Sequence, residues 1–302
     1  SEWQRDCRER RKIFGRKRWN ERDHRTKMCD EVDDEYLKKY SIERRVIDRR
    51  VDPDKVVLYA LPTILNMPIS MSPFVAKVDL WLRWREVDYE YVVSLESGPK
   101  GKWPYVQHRG LLVPDSEIVI KHLSTMLGLK DEVVEGVAAE RAAAGKAVRQ
   151  MLEGNTFYIM MWQRFVLEEG WAVLKEEYGK ATSFFISQIV IPIVVKRRLE
   201  SLLDAQGTGR HSVELLFQML REDVATLADL LGDRVYFYGD GFSTLDCTLF
   251  AFIGNLLAPF PSSQFPVQEL VMEYPNLVAY YDRIVERFYQ GKGTSESLKI
   301  PH

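Results

Sequence analysis

The stretch Ser72-Pro73-Phe74-Val75 follows a run typical of a buried strand, 56–61, and opens an amphipathic helix pattern that extends to residue 85. Proline is favoured in a first helical turn, because its missing N–H would have no partner there. The free N–H groups of such a helix start stabilise an anion, and a cysteine at position 72 would be typical of a redox or transferase residue. Ser72 cannot form a disulfide, but it can donate a hydrogen bond to a bound thiolate. A role as N-cap explains the same serine without any ligand.

Composition predicts a soluble globular protein with room for one large or two ordinary domains. The chain has 302 residues, of which 46% are hydrophobic and 28% charged, and its net charge of -2 favours no class of partner. No apolar run approaches the roughly 18 residues of a membrane span. The three cysteines, Cys7, Cys29 and Cys247, fit neither a CxxC pair nor a zinc pattern. Their spacing implies no disulfide framework and favours a reducing intracellular compartment.

The chain divides into four regions by residue pattern. Residues 1–52 form a charged basic arm without a clear helical or strand period, and residues 1–50 hold 17 basic and 12 acidic side chains, a net charge of about +5. Residues 53–130 alternate strands and helices, residues 131–290 predict only helices, and residues 291–302 are predicted to be a tail.

The predicted elements follow from hydrophobic period and from turn residues. Strands are predicted at 55–61, 89–93, 105–107 and 111–113, the first two in a parallel β-α-β crossover and the last two in a hairpin. Helices are predicted at 74–85, 116–127, 137–152, 157–178, 184–203, 211–231, 244–257 and 277–287. Gly128 is the predicted C-cap of the second helix.

The arm has two interpretations. It is either a solvated tail or a segment that docks on a protein partner, with Trp3, Trp19 and its arginines as anchors. Acids interleave with the bases throughout, which argues against nucleic-acid binding. The chain begins with serine rather than methionine, which is compatible with removal of a targeting segment.

Two further motifs would complete a binding site around Ser72. Pro104 follows Lys102-Trp103 at the start of a strand, where a cis proline would present the preceding backbone to a ligand. Asp115-Ser116 lies where a hairpin strand turns into a helix. These side chains either cap that helix or, with its free N–H groups, hold the charged amino-acid end of a ligand.

The remaining polar motifs favour structural roles. Ser243 and Asp246 have the S-x-x-D spacing of a capping box ahead of an apolar helix. The glycine-containing run 207–212 lacks the spacing of a phosphate loop and does not follow a strand. The five histidines show no ligand spacing, so no metal site is expected.

This combination of motifs resembles the glutathione S-transferase superfamily. The stretches 70–77, 99–104 and 206–212, with Tyr238-Gly239-Asp240, resemble in particular its failed axon connections and metaxin-like branch. The resemblance covers about residues 53–290. It implies an α+β fold, in which an N-terminal thioredoxin-like α/β domain is followed by an all-helical glutathione S-transferase C-terminal domain.

The resemblance implies a glutathione pocket between the two domains. Ser72 would face the glutathione sulfur as the catalytic residue, Trp103 would offer its backbone, and the Asp-Ser pair would hold the γ-glutamyl end. The predicted glutathione-binding residues are Lys102, Trp103, Pro104, Asp115 and Ser116. Only about ten residues separate the second strand from Pro104, so the helix that normally helps to hold the glycine end is shortened or absent.

Two functions stay open from the sequence. The first is a binding or structural subunit with weak or no transferase activity, which meets protein partners through the arm as a homodimer or within a large complex. Metaxin-like relatives suggest mitochondria as one setting, and the cytoplasm is the other. The second is an active glutathione transferase, in which Ser72 stabilises the thiolate for conjugation to an electrophile.

Overall fold

The computed structural model describes residues 33–47, 52–61, 63, 65–94, 96–130, 136–181 and 195–289. Several sequence predictions lie outside these residues: most of the charged arm, Cys7, Cys29, the start of the helix predicted at 184–203, and the tail at 291–302. No helix in the described ranges is long and apolar enough to cross a membrane.

A four-stranded sheet carries the N-terminal half of the fold. Its strands are β1 (Val56–Ala60), β2 (Tyr89–Val93), β3 (Tyr105–His108) and β4 (Leu111–Pro114), in the order β2-β1-β3-β4. β1 and β2 are parallel, with Val56 opposite Tyr89, whereas β3 is antiparallel to both β1 and β4. The predicted β-α-β crossover and hairpin are both confirmed.

Helices make up the rest of the described elements. Besides a π-helix (Leu152–Thr156) and a 3-10 helix (Thr208–Arg210), they are α1 (Asp34–Tyr40), α2 (Pro73–Trp84), α3 (Ser116–Leu127), α4 (Ala139–Met151), α5 (Phe157–Phe165), α6 (Glu168–Ala181), α7 (Arg197–Gln206), α8 (Val213–Leu231), α9 (Thr244–Leu256), α10 (Val267–Met272) and α11 (Pro275–Phe288). The predicted fold class, a small mixed sheet followed by a helical domain, is confirmed.

The sheet and the helical domain share one hydrophobic core. Leu58 of β1, Val78 of α2 and Phe252 of α9 are all fully buried in the same cluster. Alternate strand residues point to opposite faces, so Val57 and Tyr59 lie on the other face in a smaller cluster. Helix α2 is therefore covered on one side by the sheet and on the other by α9.

Helix α9 is buried along almost its whole length, and its start is held by a buried carboxylate. Asp246 accepts hydrogen bonds from the Ser243 N–H at 2.9 Å and the Ser243 hydroxyl at 2.6 Å, and the two residues form a capping box. It also accepts from the Phe237 N–H at 2.8 Å and the Tyr280 hydroxyl at 2.9 Å. Burial raises the pKa of Asp246 above its ordinary value, and these hydrogen bonds offset only part of that rise.

Two helical predictions need correction. The helix predicted at 157–178 is two helices, α5 and α6, because the chain turns at Val166 and Leu167. Gly170 permits the close approach that follows: a Cβ there would lie 2.0 Å from the Gln163 carbonyl oxygen. Helix α10 was not predicted, since its six residues are too few to show a helical period.

Part of the predicted arm packs on the fold. Residues 34–40 form α1, and Leu37 and Ile42 are buried in the main core. Glu43 pairs with Leu112 at the free edge of β4. The expectation of no regular structure before residue 53 is wrong for α1. Its seven residues are too few to show a helical period in the sequence, and packing on neighbouring elements stabilises the helix. The domain boundaries themselves stay predictions.

Two buried histidines lie behind the sheet. The rings of His108 and His122 lie 5.8 Å apart, and within the described part of the chain both nitrogens of His108 and Nε2 of His122 have no partner. Burial, with Arg109 nearby, lowers the pKa of His122 from 6.5 to about 4. Burial, Arg109 and His122 lower the pKa of His108 from 6.5 to about 3.

This pair predicts a fold that is sensitive to mild acid. Both folded pKa values lie below the unfolded value, so the unfolded chain takes up more protons as the pH falls below 6.5. We expect the free energy of unfolding to fall by roughly 2 kcal/mol for each histidine between pH 6.5 and about pH 5. Urea titrations at both pH values measure it. His122→Leu should remove about half of the fall, whereas His211→Leu, at an exposed position, should leave it unchanged.

Candidate functional site

Ser72 caps the start of α2. Its backbone is extended, its hydroxyl oxygen accepts from the Val75 N–H at 3.4 Å, and Pro73 occupies the first helical turn. The serine is half-buried, and its own N–H donates to the Ser70 hydroxyl at 3.2 Å. Because the hydroxyl accepts from Val75, its hydrogen is left to donate elsewhere.

The peptide bond between Trp103 and Pro104 is cis. The Pro104 carbonyl accepts from the Asp115 N–H at 3.3 Å, which joins this turn to the start of α3. The Trp103 ring packs on the outer sheet cluster with Tyr59 and Tyr105. Its buried Nε1 has no hydrogen-bond partner in the described ranges.

Asp115 adopts an unusual backbone conformation at the start of α3. Its φ is 71° and its ψ is 129°, values that a residue other than glycine rarely adopts. The carboxylate is exposed, accepts from the Glu117 N–H at 3.2 Å and lies 3.7 Å from the Lys100 ammonium. Ser116 beside it is buried. The structure thus brings Pro104 and the Asp-Ser pair together.

The loop between β2 and β3 consists of turns and bends in its described residues. The described residues there, 94 and 96–104, contain no helix, as the short spacing predicted. The Gly98 N–H donates to the Lys102 carbonyl at 3.2 Å, and the Lys102 side chain is exposed. The loop therefore presents Lys102 to solvent on the approach to Pro104.

A buried ion network lies under this site, and the sequence did not predict it. The fully buried ammonium of Lys77 on α2 donates to Glu117 and, at 2.8 Å, to Glu153. Arg149 pairs with the same two acids at 3.2 and 3.6 Å. Burial alone would raise the pKa of Glu117, but Lys77 and Arg149 lower it below its ordinary value.

A second buried cation, Arg164 on α5, contacts the loop before Ser72. Its guanidinium donates to the Met71 carbonyl at 2.8 Å and to Asn255 of α9. Neither Arg164 nor Asn255 was predicted, because their positions in the helical patterns gave no sign that they approach residues 70–72. No group of three or more metal-ligand side chains occurs in the described part of the chain.

Two family models match the chain, one for each half of this arrangement. The glutathione S-transferase N-terminal domain matches residues 73–170, and the C-terminal domain matches residues 220–284. The chain belongs to the glutathione S-transferase superfamily. A solved structure of glutathione S-transferase III in its apo form matches with a TM-score of 0.51 at 15% identity, covering 82% of this chain and 99% of that one. That likeness shows the fold alone.

Curated relatives agree with the resemblance to the failed axon connections and metaxin-like branch. Failed axon connections of Drosophila melanogaster is 27% identical over 79% of this chain and 59% of its own length, so the chain spans about three fifths of that relative. Metaxin-2 of Homo sapiens is 21% identical over 65% of this chain and 73% of its own. An isoprene-epoxide glutathione S-transferase of Rhodococcus is 26% identical over 77% of this chain and 99% of its own.

The ion network predicts a large stability loss for Lys77→Met. Removing the buried cation leaves Glu117 and Glu153 with Arg149 as their one cationic partner among the described residues, so we expect the free energy of unfolding to fall by about 3 kcal/mol. Lys180 is the matched control, since it also pairs with two glutamates but is 61% exposed. Lys180→Met should cost less than about 1 kcal/mol. Equal losses in urea titrations of the two variants would contradict a buried network.

Proposed function

We propose that this chain binds glutathione at the junction of the two domains and that Ser72 stabilises its thiolate for attack on an electrophile. The observation that carries the proposal is the conformation of Asp115, whose φ is 71°. Such backbone costs roughly 1–3 kcal/mol and clusters at ligand clamps. A helix cap alone does not require it, because ordinary N-caps have β-region backbone.

The roles of the site residues follow from their charges and exposure. The exposed Asp115 carboxylate would bind the ammonium of the γ-glutamyl end, and Ser116 with the free N–H groups of α3 would bind its carboxylate. The Trp103 backbone would pair with the cysteinyl peptide group. Lys102 would bind the glycine carboxylate, in place of the helix that the described residues between β2 and β3 lack.

Ser72 would act by a hydrogen bond rather than as a nucleophile. The Val75 N–H donates to its oxygen, which leaves the hydroxyl hydrogen free to donate to the sulfur. The helix start adds partial positive charge, so the thiol loses its proton more readily. The name of the Rhodococcus relative suggests an epoxide as the electrophile. The S–C bond would form as an epoxide C–O bond breaks, and water would protonate the alkoxide.

Ser72→Ala tests this role against simple helix capping. We expect the variant to lower conjugation by about 100-fold, because a preorganised donor to a developing charge has that effect. Ser212→Ala is the matched control: Ser212 caps α8 by accepting from the Leu215 N–H at 3.3 Å. Both variants should lose about 1 kcal/mol of stability, but only the first should lose turnover.

Two measurements make the test complete. Calorimetric titration of the wild-type chain with glutathione should give saturable binding, and a conjugation assay should give turnover. Absence of binding in the millimolar range would overturn the proposed function, and equal turnover in both serine variants would overturn the role of Ser72.

A second candidate function is favoured by the N-terminal segment. Residues 43–47 cross the outer sheet face, where Ile47 N–H donates to Gln107 at 2.6 Å and Arg45 pairs with Glu96 at 3.3 Å. This anchors the basic arm beside the site. On this reading, the chain is a binding or structural subunit with weak or no transferase activity, and the arm recruits an acidic protein surface. The assembly would be a homodimer or a larger complex, in mitochondria or in the cytoplasm.

Removal of residues 1–32 tests the arm, because every described residue of the fold is kept. If the arm recruits a partner, the full chain should elute from native extract in a larger assembly than the truncated chain does. Purified truncated chain should keep the stability of the full chain. Substitution of Arg10, Arg11, Arg16 and Arg18 by glutamine should reproduce the loss if charge drives recruitment. Identical elution of all three chains would contradict this function.

A further inference from the structure

Arg164 is a buried cation held by neutral oxygens and an aromatic ring. It is 1% exposed, and in the part of the chain that the structure describes no carboxylate pairs with it. Its Nη1 donates to the Met71 carbonyl at 2.8 Å and to the Asn255 side-chain oxygen at 3.2 Å. Its Nη2 donates to the Asn255 carbonyl at 2.7 Å and to the same side-chain oxygen at 3.2 Å. Nε is buried and, among the described residues, has no partner.

The surroundings of Arg164 do not neutralise it. Phe260 lies with its ring centroid 5.1 Å from the guanidinium carbon, and buried Tyr178 keeps its proton because burial raises its pKa. Glu177 on the neighbouring helix α6 instead pairs with Lys180 at 2.6 Å and accepts from the Leu65 N–H at 2.8 Å. Burial lowers the pKa of Arg164 to about 9, so the charge is still present at neutral pH.

This charge is directed at the loop that precedes Ser72. Arg164 binds the Met71 carbonyl, and the Asn255 side-chain amide donates to the Ser70 carbonyl at 3.1 Å. Two consecutive carbonyls before Ser72 are therefore held from the helical domain, by α5 and α9. The Met71 carbonyl belongs to the peptide bond that joins Met71 to Ser72. Phe260, whose ring faces the guanidinium, belongs to an apolar cluster with Phe165, against which Met71 packs.

We propose that Arg164 is a positioning residue whose uncompensated charge makes the site at Ser72 prefer a ligand with an anionic sulfur group over one with a neutral sulfur. A buried cation without a partner is costly, and an anion bound nearby would supply the missing counter-charge. Coulomb attraction is strong in such apolar surroundings. The inference rests on the proposed glutathione site and identifies what selects the charge state of its sulfur.

Two glutathione derivatives separate charge from shape. Glutathione sulfonate carries a permanent negative charge at sulfur, and S-methylglutathione carries none there. Calorimetry gives the ratio of their dissociation constants for each variant. We expect Arg164→Gln, which keeps hydrogen-bond donors towards Met71, to reduce the preference for the sulfonate by about tenfold. Arg164→Lys, which keeps the charge, should retain most of that preference. A merely structural role would weaken both ligands equally and leave the ratio unchanged.

Asn255→Asp keeps the test decisive if Arg164→Gln does not fold. This variant retains the guanidinium but places a carboxylate against it, so it should also reduce the sulfonate preference by about tenfold. An unchanged ratio in a folded Arg164→Gln or Asn255→Asp variant would overturn the role of Arg164 and leave the proposed glutathione site standing. Failure of the wild-type chain to bind either derivative would overturn both.

Discussion

The fold depends on how the start of helix α9 is stabilised. This helix is almost entirely buried, so the polar backbone groups at its start need hydrogen-bond partners within the protein. The N–H groups at the start of α9 have no intrahelical partners, and almost no water reaches them. The capping box of Ser243 and Asp246 meets this need. The Asp246 carboxylate also accepts from the Phe237 N–H and the Tyr280 hydroxyl. The carboxylate thereby ties α9 to the preceding turn and to α11. With its start fixed, α9 provides the surface on which α2 packs. The sheet packs on the other side of α2.

Helix α9 also contacts the loop that precedes Ser72. Asn255 lies near the end of α9 and binds the Ser70 carbonyl, while Arg164 binds the next carbonyl along the chain. The residues that lead into the Ser72 helix start are therefore held from the helical domain. The two buried cations of the junction differ in one respect. Lys77 is balanced by two glutamates, whereas Arg164 meets only neutral oxygens in the described structure.

The outer sheet face shows how this chain differs from the family pattern that its sequence resembles. Turns stand where a second helix is usual, and residues 43–47 cross the face instead. One site residue, Lys102, and one anchor of the N-terminal segment, Glu96, belong to the same loop. The proposed ligand site and the proposed recruiting segment therefore share this loop. The relatives include both a named transferase and metaxin-type proteins, and the site has features compatible with either role.

Local patterns in the sequence determined the elements and the motif residues. Each of these patterns acts through neighbours within a few residues, so its effect can be predicted from the sequence. They are the strand periods, the Ser72-Pro73 helix start, the S-x-x-D box and Gly128. The bounds of β2 and α3 are as predicted. Tertiary structure alone decided the burial of Lys77 and Arg164, the short helix α1 and the conformation of Asp115. These depend on contacts between residues far apart in sequence, such as Arg164 with Met71. A local hydrophobic period does not indicate which distant carbonyl or carboxylate a side chain will contact.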